Sequence, residues 1–383
     1  MSFSIENYKN CNFPSFNKPE IVGYFSLNTQ SRLYSQDLSQ LKYYNGATIR
    51  GSKTKVNLNL SEGINQVIRK PGNLNEKIDH LLQWITENHE TIKASPDQNR
   101  WLRPDFVCFR GLLTRICSTP YNDQEDWIIC AAKFQGTIYL CAFDTEEQKH
   151  KFANMSEKNL KFMSWGFKFE QFLLSETPNG TPITTKPVNE AEEFCCLYKS
   201  KLGKNTLFYG AEMDGVCSSQ PLQEPIDWKT KKFVELKTNR MVKTDWQEKI
   251  YKKKLLKWWC QSFLVGIEDV ICGNRTDSGK VFEIENIKVS DMPKICQDFW
   301  NPCDSMNFCN KFLDHIVAVV SQDYQEAIYK FDFKVGEGMR LEVLPPSSKY
   351  FFLPNWFTQK VDEMIKKTKT IGRCDDQGLE TCS

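Results

Sequence analysis

The sequence predicts an α/β or α+β protein built on one twisted, mostly buried mixed sheet. Short runs rich in β-branched and aromatic residues crowd the middle of the chain, and longer stretches of helical periodicity alternate with them. Aromatic residues make up 13% of the 383, with 26 Phe, 13 Tyr and 10 Trp, which favours a thick sheet-and-helix core.

The strand candidates are Phe106–Cys108, Trp127–Phe134, Thr137–Phe143, Thr206–Asp214 and Phe233–Lys237, each bounded by Gly, Pro or polar residues. The helix candidates are Leu74–Lys93, Asn159–Leu174, Ala191–Tyr198, Trp246–Gly266 and Met306–Val319. The first of these sets Ile78, Leu81, Leu82, Ile85 and Ile92 close to a single helical face. Between elements, Ser175–Glu190 gathers Pro178, Asn179, Gly180, Pro182 and Pro187 and reads as a loop. Strand-like segments flank it on both sides, so it is expected as a surface insertion in one domain rather than a boundary. Residues 1–19 form an N-terminal segment, 20–365 one domain, and 366–383 a polar, frayed tail.

Composition narrows the function classes. A net charge of +2 excludes a polybasic coat, so a nucleic-acid partner must be met by a local groove. No apolar run approaches the ~18 residues a membrane span needs. The start, Met1-Ser2-Phe3-Ser4-Ile5-Glu6, lacks the charged and apolar regions of a signal peptide. The 15 cysteines are therefore expected as reduced thiols in the cytosol or nucleus. Cys296, Cys303 and Cys309 offer no CxxC pair and no His at zinc-finger spacing, and read as structural.

The informative region runs from Gly166 to Gln261. In Tyr209-Gly210-Ala211-Glu212-Met213-Asp214-Gly215, two carboxylates stand two positions apart at the end of a strand pattern, where they project to one face. Farther on, Phe233-Val234-Glu235-Leu236-Lys237-Thr238 puts Glu235 and Lys237 on a shared strand face. Two such strands side by side place three carboxylates and an ammonium around one point, and acids so close repel unless a cation lies between them. Hard oxygen donors in that number suit Mg²⁺ or Mn²⁺, which keep positions for water and substrate phosphate. Asp…Glu-x-Lys is the general metal-site pattern of a large class of nucleases. The plainer alternative is that Glu-Leu-Lys is the solvated face of an edge strand.

Other residues carry the same double reading. Glu170, among Phe169, Phe172 and Leu173, is either a further acidic ligand or a helix-surface carboxylate. Gln261, a polar amide in Leu255-Leu256-Lys257-Trp258-Trp259-Cys260-Gln261-Ser262-Phe263, either bonds to backbone or positions a water or phosphate. Arg110 follows a strand pattern and precedes Gly111, where a guanidinium forks onto a phosphate or closes an internal ion pair. The basic stretches 229–232 and 249–257 offer phosphate contacts or simply solvated faces.

Taken in order, Phe109-Arg110-Gly111-Leu112-Leu113, Gly166-Phe167-Lys168-Phe169-Glu170, Glu212-Met213-Asp214, Glu235-Leu236-Lys237 and Trp259-Cys260-Gln261-Ser262-Phe263 resemble the DXO family of RNA 5′-end-processing enzymes. That family includes the fungal partners of the nuclear 5′–3′ exoribonuclease. The early segment from Tyr24-Phe25-Ser26 to Leu41-Lys42-Tyr43-Tyr44 also looks like it, so the similarity spans roughly residues 20 to 360.

The resemblance implies one catalytic domain over 20–365, built on two twisted mixed sheets with the active site in a deep pocket between them. It implies that Glu170, Asp214 and Glu235 ligate one or two divalent ions, Mg²⁺ or Mn²⁺, with the backbone carbonyl of Leu236, and that Glu212 completes the cluster through a bound water. Lys237 and Gln261 would hold the nucleophilic water and Arg110 would contact substrate phosphate. The implied activities are 5′-triphosphate pyrophosphohydrolysis, removal of incomplete caps and of NAD caps, and in some members 5′–3′ exoribonuclease action. All act on single-stranded RNA 5′ ends. Nuclear localisation and a docked exoribonuclease partner are further implications. Every motif position is intact, so an active hydrolase is expected; the alternative is a silent RNA-end-binding scaffold on the same fold.

Overall fold

The computed structural model describes residues 2–46, 53–72, 74, 76–95, 97–98 and 100–377, with side chains as far as residue 367. The chain opens with β1 (Ser2–Phe3), β2 (Glu20–Asn28), β3 (Leu33–Ser35), β4 (Tyr43–Tyr44), β5 (Lys53–Asn59) and α1 (Asp79–Asn88). It continues through β6 (Phe106–Phe109), α2 (Arg110–Ser118), β7 (Trp127–Phe134), β8 (Thr137–Phe143), α3 (Glu146–Ala153) and α4 (Glu157–Leu173). Then come β9 (Leu174–Ser175), β10 (Glu193–Leu202), β11 (Asn205–Glu212), β12 (Gly215–Cys217), β13 (Lys232–Arg240) and α5 (Asp245–Phe263). The last part holds β14 (Asp269–Arg275), β15 (Lys280–Lys288), α6 (Met292–Ile295), α7 (Pro302–Val319), β16 (Ile328–Lys334), β17 (Gly338–Leu344) and α8 (Asn355–Gln377).

Among the described residues the strands form two mixed sheets, as the family resemblance implies, and not the single sheet that the residue pattern alone suggests. Ten strands run β1-β17-β16-β7-β8-β6-β11-β10-β2-β3, and seven run β5-β15-β14-β13-β12-β4-β9. The chain crosses from the large sheet to the small one between β11 and β12, through Met213 and Asp214 alone. So the acid-x-acid motif does not sit on one strand: Glu212 ends β11 and Asp214 lies in the crossing.

Three apolar layers hold this together. The central one fills the space between the sheets with α2, α5 and α7, using Leu113, Trp259 and Phe312 against Tyr209 and Val270. A second covers the other face of the large sheet with Trp84 of α1 and Phe357 of α8. The third packs Trp165, Phe169 and Leu173 of α4 onto Val234, Leu236 and Ile271 of the small sheet. Alternation along β13 therefore sends Val234 and Leu236 toward α4, and Glu235 and Lys237 toward the space between the sheets.

One helix expectation fails. Ala191–Tyr198 is not helical; β10 occupies Glu193–Leu202 and pairs with both β11 and β2. Its run Phe194-Cys195-Cys196-Leu197-Tyr198 is apolar at every position because one set faces the central layer and the other faces the α1 layer. A strand buried on both faces loses the two-residue period that would identify it. The helix expected over Leu74–Lys93 is shorter, Asp79–Asn88 with a 3₁₀ turn to Thr91. At the other end, α8 continues through Gln377 into the expected frayed tail, and residues 378–383 lie outside those described. Cysteines among the described residues are free thiols, most of them buried. No helix among those residues is long and apolar enough to cross a membrane.

Candidate active site

Parallel pairing of β6 with β11 aligns Phe109 with Gly210, so Arg110, the first residue of α2, enters beside the end of β11 where Glu212 stands. β12 begins at Gly215, opposite Val234 of β13, and pairs only backward from there, to Lys232. Beyond Val234 that flank of β13 has no strand partner among the described residues. Asp214 takes the vacant place: its Oδ2 accepts the backbone N–H of Leu236 at 2.6 Å. In extended backbone a residue's N–H and C=O point to the same side, so the Leu236 carbonyl also faces this open flank.

Two glycines let α4 come down close enough to join. A Cβ at Gly273 would lie 2.6 Å from the Phe169 ring, and one at Gly215 would run into Leu174. At Gly273 sheet backbone meets an α4 side chain, and at Gly215 it meets Leu174 of β9, the residue that follows α4, in each case without room for a methyl group. Phe169 thereby reaches zero exposure, and its neighbour Glu170 is delivered to the cleft.

The cleft, about 950 Å³ including its open mouth, is lined by Glu170, Glu212 and Asp214 together with Lys42, Glu193 and Phe194. Glu235 lies behind it, 1% exposed. Its Oε1 is 2.6 Å from Lys237 Nζ and its Oε2 3.4 Å from Arg110 Nη1. Arg110 is itself 7% exposed, and its Nε–H is buried with no acceptor among the described residues. That orphaned donor leaves the guanidinium with bonding capacity for an incoming anion.

Charge in this group is unbalanced: four carboxylates face two cations, an excess of two negative charges if all are ionised. Burial, followed by the charges of Asp214 and Glu212, pushes Glu170 well above the usual carboxylate range. Burial and then Glu235 raise Asp214 to about 7. Burial, Glu193 and Asp214 raise Glu212 to about 8, although this side chain is open to the cleft and water there moderates the effect. Glu235 goes the other way: burial opposes its charge, but Lys237 and Arg110 outweigh it and hold its carboxyl down. Lys237 is raised, because Glu235 and Asp214 overcome its burial, and Arg110 is raised for the same reason.

This donor set fits a divalent cation by chemistry, since it offers only oxygen and its charge excess matches one such ion. The cage is not already made, however. Among the described residues, no three His, Cys, Asp or Glu side chains stand together closely enough to hold a metal ion. Glu170, Glu212 and Asp214 share one cleft, while Glu235 behind it is turned to Lys237 and Arg110, and Asp214 to the Leu236 amide.

Gln261 is half-buried on α5, with no described bond to the acidic group. The basic stretches are mostly paired surface: Lys252 with Asp298, Lys253 with Asp123, Lys257 with Glu125 and Lys232 with Glu268. Sequence reasoning missed Arg32, which is 4% exposed and holds Glu193 on one side and Glu76 on the other. Nothing local marks that arginine. Glu193, a charge opening an apolar run, was the available signal for this wall of the cleft.

A family model described as RAI1-like PD-(D/E)XK nuclease matches residues 17–358. The decapping and exoribonuclease protein of Xenopus laevis is 32% identical over 357 residues, covering 91% of this chain and 88% of that one. Among solved structures, Scheffersomyces stipitis Rai1 in complex with (3′-NADP)⁺ and calcium superposes with a TM-score of 0.80 at 20% identity, over 95% of this chain and all of the other. Candida albicans Rai1 in complex with pU5 and Mn²⁺ gives 0.78 at 20% identity, covering 95% and 99%.

Proposed function

Because the chain belongs to the RAI1-like PD-(D/E)XK nuclease family, we propose that it is a divalent-metal-dependent hydrolase of single-stranded RNA 5′ ends. Its substrates on this reading are 5′-triphosphate, incompletely capped and NAD-capped RNA, with 5′–3′ exoribonuclease action as a further capacity of the same site. The observation that carries the reading is the cleft itself: three carboxylates with elevated proton affinity beside a buried Glu235 shared by Lys237 and Arg110.

Glu170, Glu212, Asp214 and Glu235, with the Leu236 carbonyl, would hold the metal, Mg²⁺ or Mn²⁺; when bound it supplies water activation and charge withdrawal from the phosphorus. The protein's own groups do the rest. Lys237, anchored on Glu235, presents an ammonium whose proton affinity is raised, so it stays charged and holds a water oxygen by donating to it. Arg110 turns its free Nε–H toward the substrate phosphate and spreads the charge that develops there. The Gln261 amide is the second group assigned to the attacking water. On this reading the pocketed site takes a single-stranded 5′ end and not a duplex. Nuclear location, with a cytoplasmic share, and docking to an exoribonuclease belong to this reading on family resemblance alone.

The test is product release from 5′-triphosphate, NAD-capped and 5′-monophosphate RNAs with Mg²⁺ or Mn²⁺, using Glu235→Ala as the control. Turnover of at least one RNA that disappears in the control is expected. No turnover of any would favour the silent scaffold, and faster cleavage of DNA would point to a DNA nuclease.

A further inference from the structure

The 175–190 segment is not a free surface insertion. Glu176, Ile183, Lys186 and Val188 line the wall of the cleft facing Glu212 and Asp214. Its far end is fixed by backbone: Ile68 donates its N–H to the Val188 carbonyl at 2.8 Å, and Glu190 returns one to Ile68 at 2.9 Å. Over 178–187, in contrast, the described hydrogen bonds to elements outside the loop come from two side chains of α4. Lys168 Nζ donates to the Thr184 carbonyl at 2.7 Å, and Gln171 Nε2 donates to the Lys186 carbonyl at 3.0 Å. Lys168 also donates to Gln171 Oε1 at 2.8 Å, tying the two into one latch. These residues bracket Glu170 in sequence.

Lys168 is 1% exposed, and its described acceptors are an amide oxygen and a carbonyl, with the Phe172 ring 5.2 Å away. A buried ammonium with no ion-paired carboxylate among the described residues is a costly way to fill space. An unbranched apolar side chain would fill the same slot; only a donor can take the loop carbonyl. The latch also determines what the wall displays. Ile183, next to the latched Thr184, is a large apolar side chain 42% exposed at the cleft. Lys186, whose carbonyl is latched, has a side chain 61% exposed that pairs with the similarly accessible Glu176.

We propose that Lys168 is a positioning residue for substrate selection: with Gln171 it sets the 176–187 wall, so that Ile183 meets the base or ribose and Lys186 a phosphate of the 5′-terminal nucleotides. The proposal rests on the RNA 5′-end reading above for the identity of the ligand, though not for the latch. It is tested with Lys168→Met, and with Gln171→Ala as a second variant should the first fold poorly. Hydrogen exchange is followed along the chain, and KM and kcat are measured on 5′-triphosphate and NAD-capped RNAs of one sequence.

The expected result is faster exchange confined to 177–187, with KM up about tenfold and kcat changed less than about threefold. Ile183→Ser is expected to raise KM without altering exchange. Unchanged loop exchange, or KM and kcat worsening together on both RNAs in step with the fraction unfolded, overturns the proposal. If the wild type cleaves neither RNA, the 5′-end reading has failed, and the latch is decided by exchange with a 5′-phosphorylated oligouridylate. Protection of 177–187 in the wild type that is lost in Lys168→Met supports it; equal exchange in both overturns it.

Discussion

Asp214→Asn is expected to make the metal-free protein more stable while destroying its activity. The substitution keeps shape and contact, since an amide oxygen can accept the Leu236 N–H that Oδ2 accepts at 2.6 Å. What it removes is one charge from a group with an excess of negative charge. Raising Asp214 from 3.8 to about 7 corresponds to an upper bound of about 4 kcal/mol of destabilisation when it is ionised. Four carboxylates share that excess and the cleft admits water, so a gain of about 1–2 kcal/mol is the reasonable expectation, or roughly 1–3 °C in Tm for a chain of this size. The sign follows from linkage. From about pH 4 to about 7 the folded state keeps a proton that the unfolded chain has released, so stability contributed by this group falls as pH rises through that window. The asparagine variant lacks that part of the slope. Urea unfolding of both proteins in EDTA at pH 5 and pH 8 measures it, and the gap should be wider at pH 8. Millimolar Mn²⁺ should then reverse the order, because the ion stabilises the protein that binds it more tightly. A variant less stable than the wild type in EDTA at pH 8, or an identical pH slope, refutes the charge-excess account.

Two further substitutions probe the same site from its edges. Arg110→Lys keeps a cation near Glu235 but loses the fork and the unpartnered Nε–H; KM for 5′-phosphorylated RNA should rise about 10–100-fold, and steady-state kinetics showing an unchanged KM would remove Arg110 from substrate binding. Gly273→Ala drives a methyl group to within 2.6 Å of the Phe169 ring and pushes α4 off the small sheet; a stability loss of about 1–3 kcal/mol with a lower kcat is expected, and a Tm and kcat equal to wild type would show that the seating of α4 does not position Glu170.

Much of this is legible in the sequence. Strands at Trp127–Phe134 and Thr137–Phe143 are where their patterns put them, because each is a plain hairpin arm joined by Gln135 and Gly136, both at positive φ. The helices carrying Glu170 and Gln261 lie within two to three residues of expectation. What the pattern hid is tertiary. A strand buried on both faces looked helical at Ala191–Tyr198, and two-residue strands such as β4 and β9 are too short to register. The split into two sheets occurs in a crossing of two residues, Met213 and Asp214, that carries no Pro or Gly of its own. The acidic residues were individually ambiguous for the same reason. A carboxylate at the end of a strand looks alike whether it faces solvent or three other carboxylates, and only the open flank of β13 decides which. Arg32 could not be found at all, since both its partners are remote in sequence, Glu76 and Glu193.

The most direct test of the central claim is anomalous diffraction from crystals of this protein soaked in Mn²⁺. One or two strong peaks bounded by Glu170, Asp214, Glu235 and the Leu236 carbonyl, with Glu235 partly released from Lys237, are what the account predicts. A cleft with no manganese peak while those carboxylates stay bound to Lys237, Arg110 and the Leu236 amide, or a peak held by other residues, would contradict it.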